Sequence, residues 1–204
     1  SARLADDVVV GPFCTVGPDV TIGGGTVLKS HVNVDGFTQI GEGCTLWPFS
    51  SIGTRSQDLK YKGGRPGVRI GDGTTLREYV TVNAATFDGD FTVVGSKCHI
   101  MAYAHVAHDC MVGDEVIMAN AATLAGHVVV EDQAIIGGLS GVHQFVRVGR
   151  LSITGGCSKV VQDVPPFMTT DGNPLSVRGI NKIGLERHGV DKAVIRTLRE
   201  AYRL

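Results

Sequence analysis

Every sixth residue of this chain is aliphatic over most of its length. Stepping by six from Val10 meets Val16, Ile22, Leu28, Val34, Ile40, Leu46 and Ile52, then resumes at Ile70, Leu76 and Val82. A third run goes from Val94 through Ile100, Val106, Val112, Met118, Leu124, Val130, Ile136 and Val142 to Val148. Of the 26 positions in this register from 10 to 160, 22 are aliphatic, and Asp58, Gly64, Asp88 and Thr154 are the exceptions. Two residues before the aliphatic the side chain is small, as at Cys14, Thr26, Cys44, Cys98, Ala104, Cys110 and Ala122. The residue after it is Gly at twelve of the 26 positions. Each hexad can supply one short strand and one turn, and three hexads close a triangular coil of about 18 residues. Successive coils then stack as parallel strands about 4.8 Å apart. The aliphatic points into the prism, the small residue fits its tight interior, and Gly is expected where a turn needs positive φ. The reading is an all-β parallel β-helix over residues 1–166.

Composition agrees with a narrow, regular core. The 204 residues hold 28 Gly and only 6% aromatics, yet are 43% apolar. With 19% charged residues and a net charge of −1, the chain is neither disordered nor a basic nucleic-acid binder. No apolar run reaches the ~20 residues that span a bilayer, so no transmembrane segment is expected. The N-terminus shows no basic head with an apolar run behind it, which predicts a cytoplasmic protein without a secretory signal. Without an initiator Met, further residues are expected before Ser1. Cys14, Cys44, Cys98 and Cys110 all occupy the small interior slot, while Cys157 falls outside it. Five cysteines with no CxxC pair exclude a disulfide framework and a cysteine zinc site, again pointing to a reducing compartment.

Two polar, Gly-containing segments interrupt the hexads, near 54–68 and 84–93, and both return to the original register. They read as excursion loops on a continuous prism, where sites tend to lie. The prism should stop near Pro165-Pro166, since two prolines cannot continue a ladder. Residues 167–204 are expected to be a linker, with a loop from Thr169 to Asn173 and helix after about 175. Asp191 is a candidate N-cap, with Val194, Ile195, Leu198, Ala201 and Tyr202 forming an apolar face behind it. Leu204 falls inside that helix, so the α-helical segment reads as truncated. From Asn173 onward seven Lys/Arg face three acids, giving +4 and leaving −5 for the rest. Such a segment is either a solvated helix surface or a landing patch for an acidic partner or phosphate.

Four of the seven histidines fall between 105 and 143. Stacking by 18 puts His108 below Gly126, Gly126 below Gln144, and Asp109 below His127. An imidazole beside a carboxylate, with a backbone N–H about one strand spacing away, is the layout of a general base with an oxyanion donor. The competing readings are a ladder of polar surface residues and a His-rich zinc site. The spacing His105-x2-His108 with a distant His127 does not match the His-x4-His pair of the hexapeptide-repeat carbonic anhydrases, so no metal is expected.

At these residues the chain resembles a known family. The strings His105-Val-Ala-His108-Asp109-Cys110, Leu124-Ala-Gly126-His127-Val128 and Val142-His143-Gln144-Phe145 look like those of the UDP-N-acetylglucosamine O-acyltransferases of lipid A synthesis. So do Gln57-Asp58-Leu59-Lys60-Tyr61, Gly155-Gly156-Cys157, Gln162-Asp163-Val164-Pro165-Pro166 and Gly172-Asn173-Pro174 leading to Asn181 and Arg187. The resemblance implies a left-handed coil and a cytoplasmic homotrimer with its site between neighbouring prisms. It implies transfer of a 3-hydroxyacyl group from acyl carrier protein to the 3-OH of UDP-N-acetylglucosamine, without a cofactor. His108 is then the general base, Asp109 its support and Gly126 the oxyanion donor. Gln57, Asp58, Lys60, Asn83, His105, His127, His143, Gln144 and Asn181 would contact the sugar nucleotide, and Arg187 the diphosphate. Gly156 would set acyl-chain length, and the basic C-terminal segment would receive the carrier. Two positions depart from the family: Ala84 stands where an Arg is usual, and Ile183 where a Glu is frequent. Alternatives are the N-acyltransferase of the same pathway, which carries a further N-terminal domain, and a non-catalytic hexapeptide scaffold.

Overall fold

A computed structural model describes residues 1–203; Leu204, expected to end inside the last helix, lies outside the described residues. Strands of mostly two residues recur every hexad, from Arg3–Leu4 to Lys159–Val160, and every third strand joins the same sheet. Three parallel sheets of eight, ten and eight strands form the faces of a prism, the second gaining its last two strands beyond the hexads. The register is the one the period predicts: Val106 pairs with Leu124, and Leu124 with Val142. Leu28, Leu46, Ile52, Leu76, Ile100, Leu124 and Ile136 are fully buried along the axis. Burying each such side chain contributes roughly 1.5–3 kcal/mol.

The small slot behaves as the composition requires. Thr26, Thr38, Ser50, Thr74 and Ala104 are buried, and the Thr26 and Thr74 hydroxyls donate across coils to Gly41 O (2.8 Å) and Gly95 O (2.7 Å). Cys44, Cys98 and Cys110 are buried packing residues, Cys14 is half-buried and Cys157 is exposed. Burial pushes the Cys98 thiol up to about 11 and the Cys110 thiol to about 12, which makes them inert.

The role expected for the repeat glycines is corrected by the structure. Positive φ falls three residues past the aliphatic, and it is carried by Phe13, His31, Phe49, Tyr79, Tyr103, Asp109, His127 and Phe145 rather than mainly by glycine. At most of these corners a backbone bond to the coil below holds the residue, such as His127 N–H to His108 O at 3.1 Å, whereas Asp109 N–H donates to the Thr92 hydroxyl at 2.8 Å. The glycine next to the aliphatic serves close stacking instead. A Cβ on Gly71 would stand 2.6 Å from the Gly95 carbonyl carbon, inside van der Waals contact.

The excursions are shorter than expected, 55–66 and 84–90, because strands Ser51–Thr54, Gly67–Ile70 and Phe91–Val94 keep their ladder pairs. Both loops leave the third sheet and re-enter the first, so they share one corner of the prism. The linker expected after residue 166 is a hairpin. Met168–Asp171 pairs parallel with Ile153–Thr154, and Ser176–Ile180 returns antiparallel to it. Pro165 and Pro166 stop two ladders, but the second sheet still offers open edge groups, and Gly155 N–H finds Thr170 O at 2.7 Å. Helix begins at Lys182 rather than near 175, with α1 spanning Lys182–Arg187 and α2 spanning Lys192–Tyr202. Asp191 caps α2 by accepting from Ala193 N–H at 2.6 Å. Of the expected apolar face, Ile195 is buried against Leu151 and Leu185 with Leu198 packed beside it, whereas Val194 and Tyr202 are exposed.

Candidate active site

The corner that carries both loops also carries the histidines. His105–Val106 and Thr123–Leu124 are consecutive strands of the third sheet, and the turns that follow them present His108-Asp109 and Gly126-His127. His108 Nδ1 lies 2.8 Å from Asp109 Oδ2, with both side chains nearly nine-tenths covered. An ionised carboxylate only accepts, so Nδ1 carries a proton, and in the neutral ring the lone pair is the one on Nε2. His127 Nε2 approaches the same carboxylate oxygen at 3.6 Å. His127 stands edge-on to His108, ring centroids 5.3 Å apart, and lies flat on Phe145 at 4.8 Å.

Gly126 is stacked directly over the His108 ring. A Cβ built there would stand 2.6 Å from His108 Nε2, so only glycine leaves the ring its place. Among the described residues the Gly126 N–H has no acceptor, while its carbonyl takes the Phe145 N–H at 3.3 Å. An N–H without a partner, on the residue stacked against an imidazole, suits addition to a carbonyl.

Asp109 is held ionised. Burial raises its pKa, but two hydrogen bonds from Thr86, then His108 and the His127 ring, outweigh burial and pull it below its ordinary value. The Thr86 hydroxyl reaches Asp109 Oδ2 at 2.6 Å and the Thr86 N–H reaches Oδ1 at 3.0 Å. His105 sits 2.7 Å from the Thr81 hydroxyl, and its pKa is lowered by burial and by His108 nearby.

The match to known proteins follows these residues. A relative from Thermodesulfovibrio yellowstonii, an acyl-[acyl-carrier-protein]–UDP-N-acetylglucosamine O-acyltransferase, is 50% identical over 204 residues, 100% of this chain and 79% of the relative. The chain belongs to the UDP-N-acetylglucosamine O-acyltransferase family. A family model described as UDP-N-acetylglucosamine O-acyltransferase, domain 2, matches residues 163–204, and a bacterial transferase hexapeptide model matches 91–126. A Synechocystis relative of the same name is 50% identical over 173 residues, 85% of this chain; the match spans 63% of that relative, less than two thirds of its length. The solved LpxA of Acinetobacter baumannii superposes with a TM-score of 0.97 at 46% identity, covering 100% of this chain and 79% of that one. The fold is accordingly a left-handed parallel β-helix, as in the acyltransferases.

Within this acyltransferase fold the residues singled out by sequence divide into groups. Asp58 joins the histidine corner: its carboxylate, His108 and His127 offer ligand atoms within 4.8 Å of one another. Those are the groups that could hold a cation, although His108 Nδ1 is already committed to Asp109. Asp58 Oδ1 also accepts the Lys60 N–H at 2.8 Å, which shapes the first loop, while Gln57 and Lys60 are exposed. Asn83 is buried at the base of that loop, donating to Arg55 O at 2.7 Å. His143 and Gln144 are exposed on the next coil up. Asn181 is placed otherwise: its amide donates to Leu151 O at 2.9 Å and caps α1 by accepting from Gly184 N–H at 3.0 Å. One of its two N–H groups and one oxygen lone pair thus serve the fold, and the side chain is buried. Gly156 follows a strand of the second sheet, at a different corner from His108, and Arg187 ends α1. Of the positions that depart from the family, Ala84 is buried at the start of the second loop and Ile183 is exposed on α1. Sequence reasoning passed over Ser56 and Thr86. The loops break the 18-residue stacking, so no spacing in the sequence links either of them to Asp109.

Proposed function

We propose that this chain transfers a 3-hydroxyacyl group from acyl carrier protein to the 3-OH of UDP-N-acetylglucosamine, opening lipid A synthesis. The observation that carries the reading is the His108 ring, paired with Asp109 through Nδ1 and stacked against Gly126, whose N–H has no acceptor among the described residues. In this mechanism Nε2 takes the proton of the sugar hydroxyl as its oxygen adds to the thioester carbonyl. The Gly126 N–H receives the oxyanion, and Asp109 stabilises the imidazolium. Collapse breaks the carbon–sulfur bond, and the departing thiolate takes the proton back from His108. Asp58, Lys60, His105, His127, His143 and Gln144 would grip the sugar nucleotide, and Gln57 and Asn83 would shape the loops around it. Arg187 would pair with the diphosphate through its guanidinium fork. The basic segment of α1 and α2 would receive the acidic carrier.

A homotrimer accounts for the distribution of these residues. Gly156 and Arg187 lie apart from the His108 corner within one chain, and a neighbouring copy would bring its own Gly156 and Arg187 to that corner. Cytoplasmic location follows from the carrier and nucleotide substrates.

Incubation of the chain with 3-hydroxyacyl carrier protein and UDP-N-acetylglucosamine tests the reading. An O-acylated sugar nucleotide is expected, and its absence with trimeric, folded protein refutes the activity. Gly156, with no side chain and only Gly138 O within 3.2 Å of an added Cβ, would leave the cleft open for roughly C14 rather than C10 chains. Gly156→Met should shift preference to shorter donors, and an unchanged donor ranking would remove Gly156 from that role.

A further inference from the structure

The second excursion loop places one buried hydroxyl among three polar neighbours. Thr86 is 1% exposed, and its Oγ1 lies 2.6 Å from Asp109 Oδ2, 3.0 Å from Ser56 Oγ and 3.2 Å from His108 Nδ1. A hydroxyl has one proton, and an ionised carboxylate can only accept, so the shortest contact is Thr86 O–H donating to Asp109. Ser56 must then donate its own proton to Thr86 Oγ1. Ser56 Oγ in turn accepts the Asp58 N–H at 3.2 Å. Every proton in the chain Asp58 N–H, Ser56 O–H, Thr86 O–H therefore points toward the carboxylate that orients His108.

We infer that Thr86 and Ser56 are positioning residues that lock Asp109 ionised and His108 in its Nδ1–H tautomer. The same two hydroxyls tie the loop bearing Asp58 to the base, so that loop order and base orientation are set together. This rests on the reading of His108 as the general base. Neither residue touches the reacting atoms. Thr86 fixes Asp109 from two sides, through its hydroxyl and its N–H, and a buried network of this kind loses more than one bond when a member is removed.

Steady-state kinetics and thermal melting of Thr86→Val, Thr86→Ser, Ser56→Ala, His108→Ala and the double variant His108→Ala/Thr86→Val test the relay. Thr86→Val is expected to lower kcat by up to roughly 10-fold, the lower end for one hydrogen bond to a charged group and no more than Asp109→Asn, with KM for the sugar nucleotide held within about twofold. Thr86→Ser should restore most of the rate, since it returns the hydroxyl, and Ser56→Ala should lose a smaller factor in kcat. In the His108→Ala background Thr86→Val should cost nothing further, because its effect passes through His108. A wild-type kcat in Thr86→Val, or equal impairment in Thr86→Ser, overturns the relay while His108→Ala remains inactive. Full turnover in His108→Ala overturns the base assignment itself. If Thr86→Val melts early, Thr86→Ser and Ser56→Ala carry the decision.

Discussion

Two corners of the prism have the same backbone and opposite chemistry. After the second sheet, the positive-φ positions hold Phe13, His31, Phe49, Tyr79 and Tyr103, whose rings stack in one column with centroids 4.7–5.0 Å apart. After the third sheet, the corresponding positions hold Asp109, His127 and Phe145. Both columns are built by the same turn, with corner N–H groups bonded to the coil below, to carbonyls at His31, Tyr79, Tyr103, His127 and Phe145 and to the Thr92 hydroxyl at Asp109. The aromatic corner gains from ring stacking, about 0.5–1.5 kcal/mol per pair, and its rings are largely exposed. At the third-sheet corner two loops meet, the second supplying both Thr86 donors to the buried Asp109 and the first backing Thr86 with Ser56. The repeat thus provides a platform, and the covering loops turn one stretch of it into a site by excluding water from a charge.

Substitutions at the two corners should separate these roles. The largest effect is expected from His108→Ala, a loss of about 10²–10⁴ in kcat with little change in melting temperature, since the ring lies outside the packed axis. Retention of near wild-type turnover would make the two corners equivalent. Gly126→Ala should follow, with turnover reduced on the order of 10²-fold because the new methyl displaces the His108 ring; intact activity would mean the stacking over the base is slack. Asp109→Asn should be milder, roughly 10-fold in kcat, because the base survives without its orienting charge. Tyr79→Ala at the aromatic corner should leave turnover unchanged and cost about 1–2 kcal/mol of stability for its two ring neighbours, read by denaturant midpoint. Loss of activity there would give the aromatic column a catalytic share.

The smallest effect is a pH dependence. The Asp109 pKa is depressed in the fold, so its stabilising contribution is complete above the unfolded value of about 3.9 and is lost as pH falls through the lower folded value. The stability gap between wild type and Asp109→Asn should be widest above pH ~4 and close below it. A gap that widens in acid would reverse the sign and remove the ionised network.

Much of the architecture was readable because the hexad period leaves no alternative way to bury so many evenly spaced aliphatics. Val106, Leu124 and Val142 share a column for that reason, and His108 falls under Gly126 by the same count. Readings failed where side-chain type had to stand in for backbone geometry. Glycine after the aliphatic suggested a positive-φ turn, yet it answers to the closeness of the next coil. Pro165-Pro166 suggested an end to the ladder, yet the open edge of the second sheet took up the hairpin beyond them. Asn181 carries family meaning in the sequence, and the structure adds a second use that no motif announces, a bond to the Leu151 carbonyl and a cap on the first turn of α1.

The sequence by itself determined the prism, its interior and the vertical order of the residues on each coil, because a strict period converts chain number into height. Only the tertiary structure decided what the loops bring to that ladder. Ser56, Thr86 and Asp109 are separated by 30 and 23 residues yet meet through hydroxyl contacts of 3.0 and 2.6 Å. No period links them, since the excursions follow their own local turns and a loop's path is fixed by contacts rather than by count. The direction of the protons in that cluster follows from a further tertiary fact, the burial of a carboxylate that can only accept.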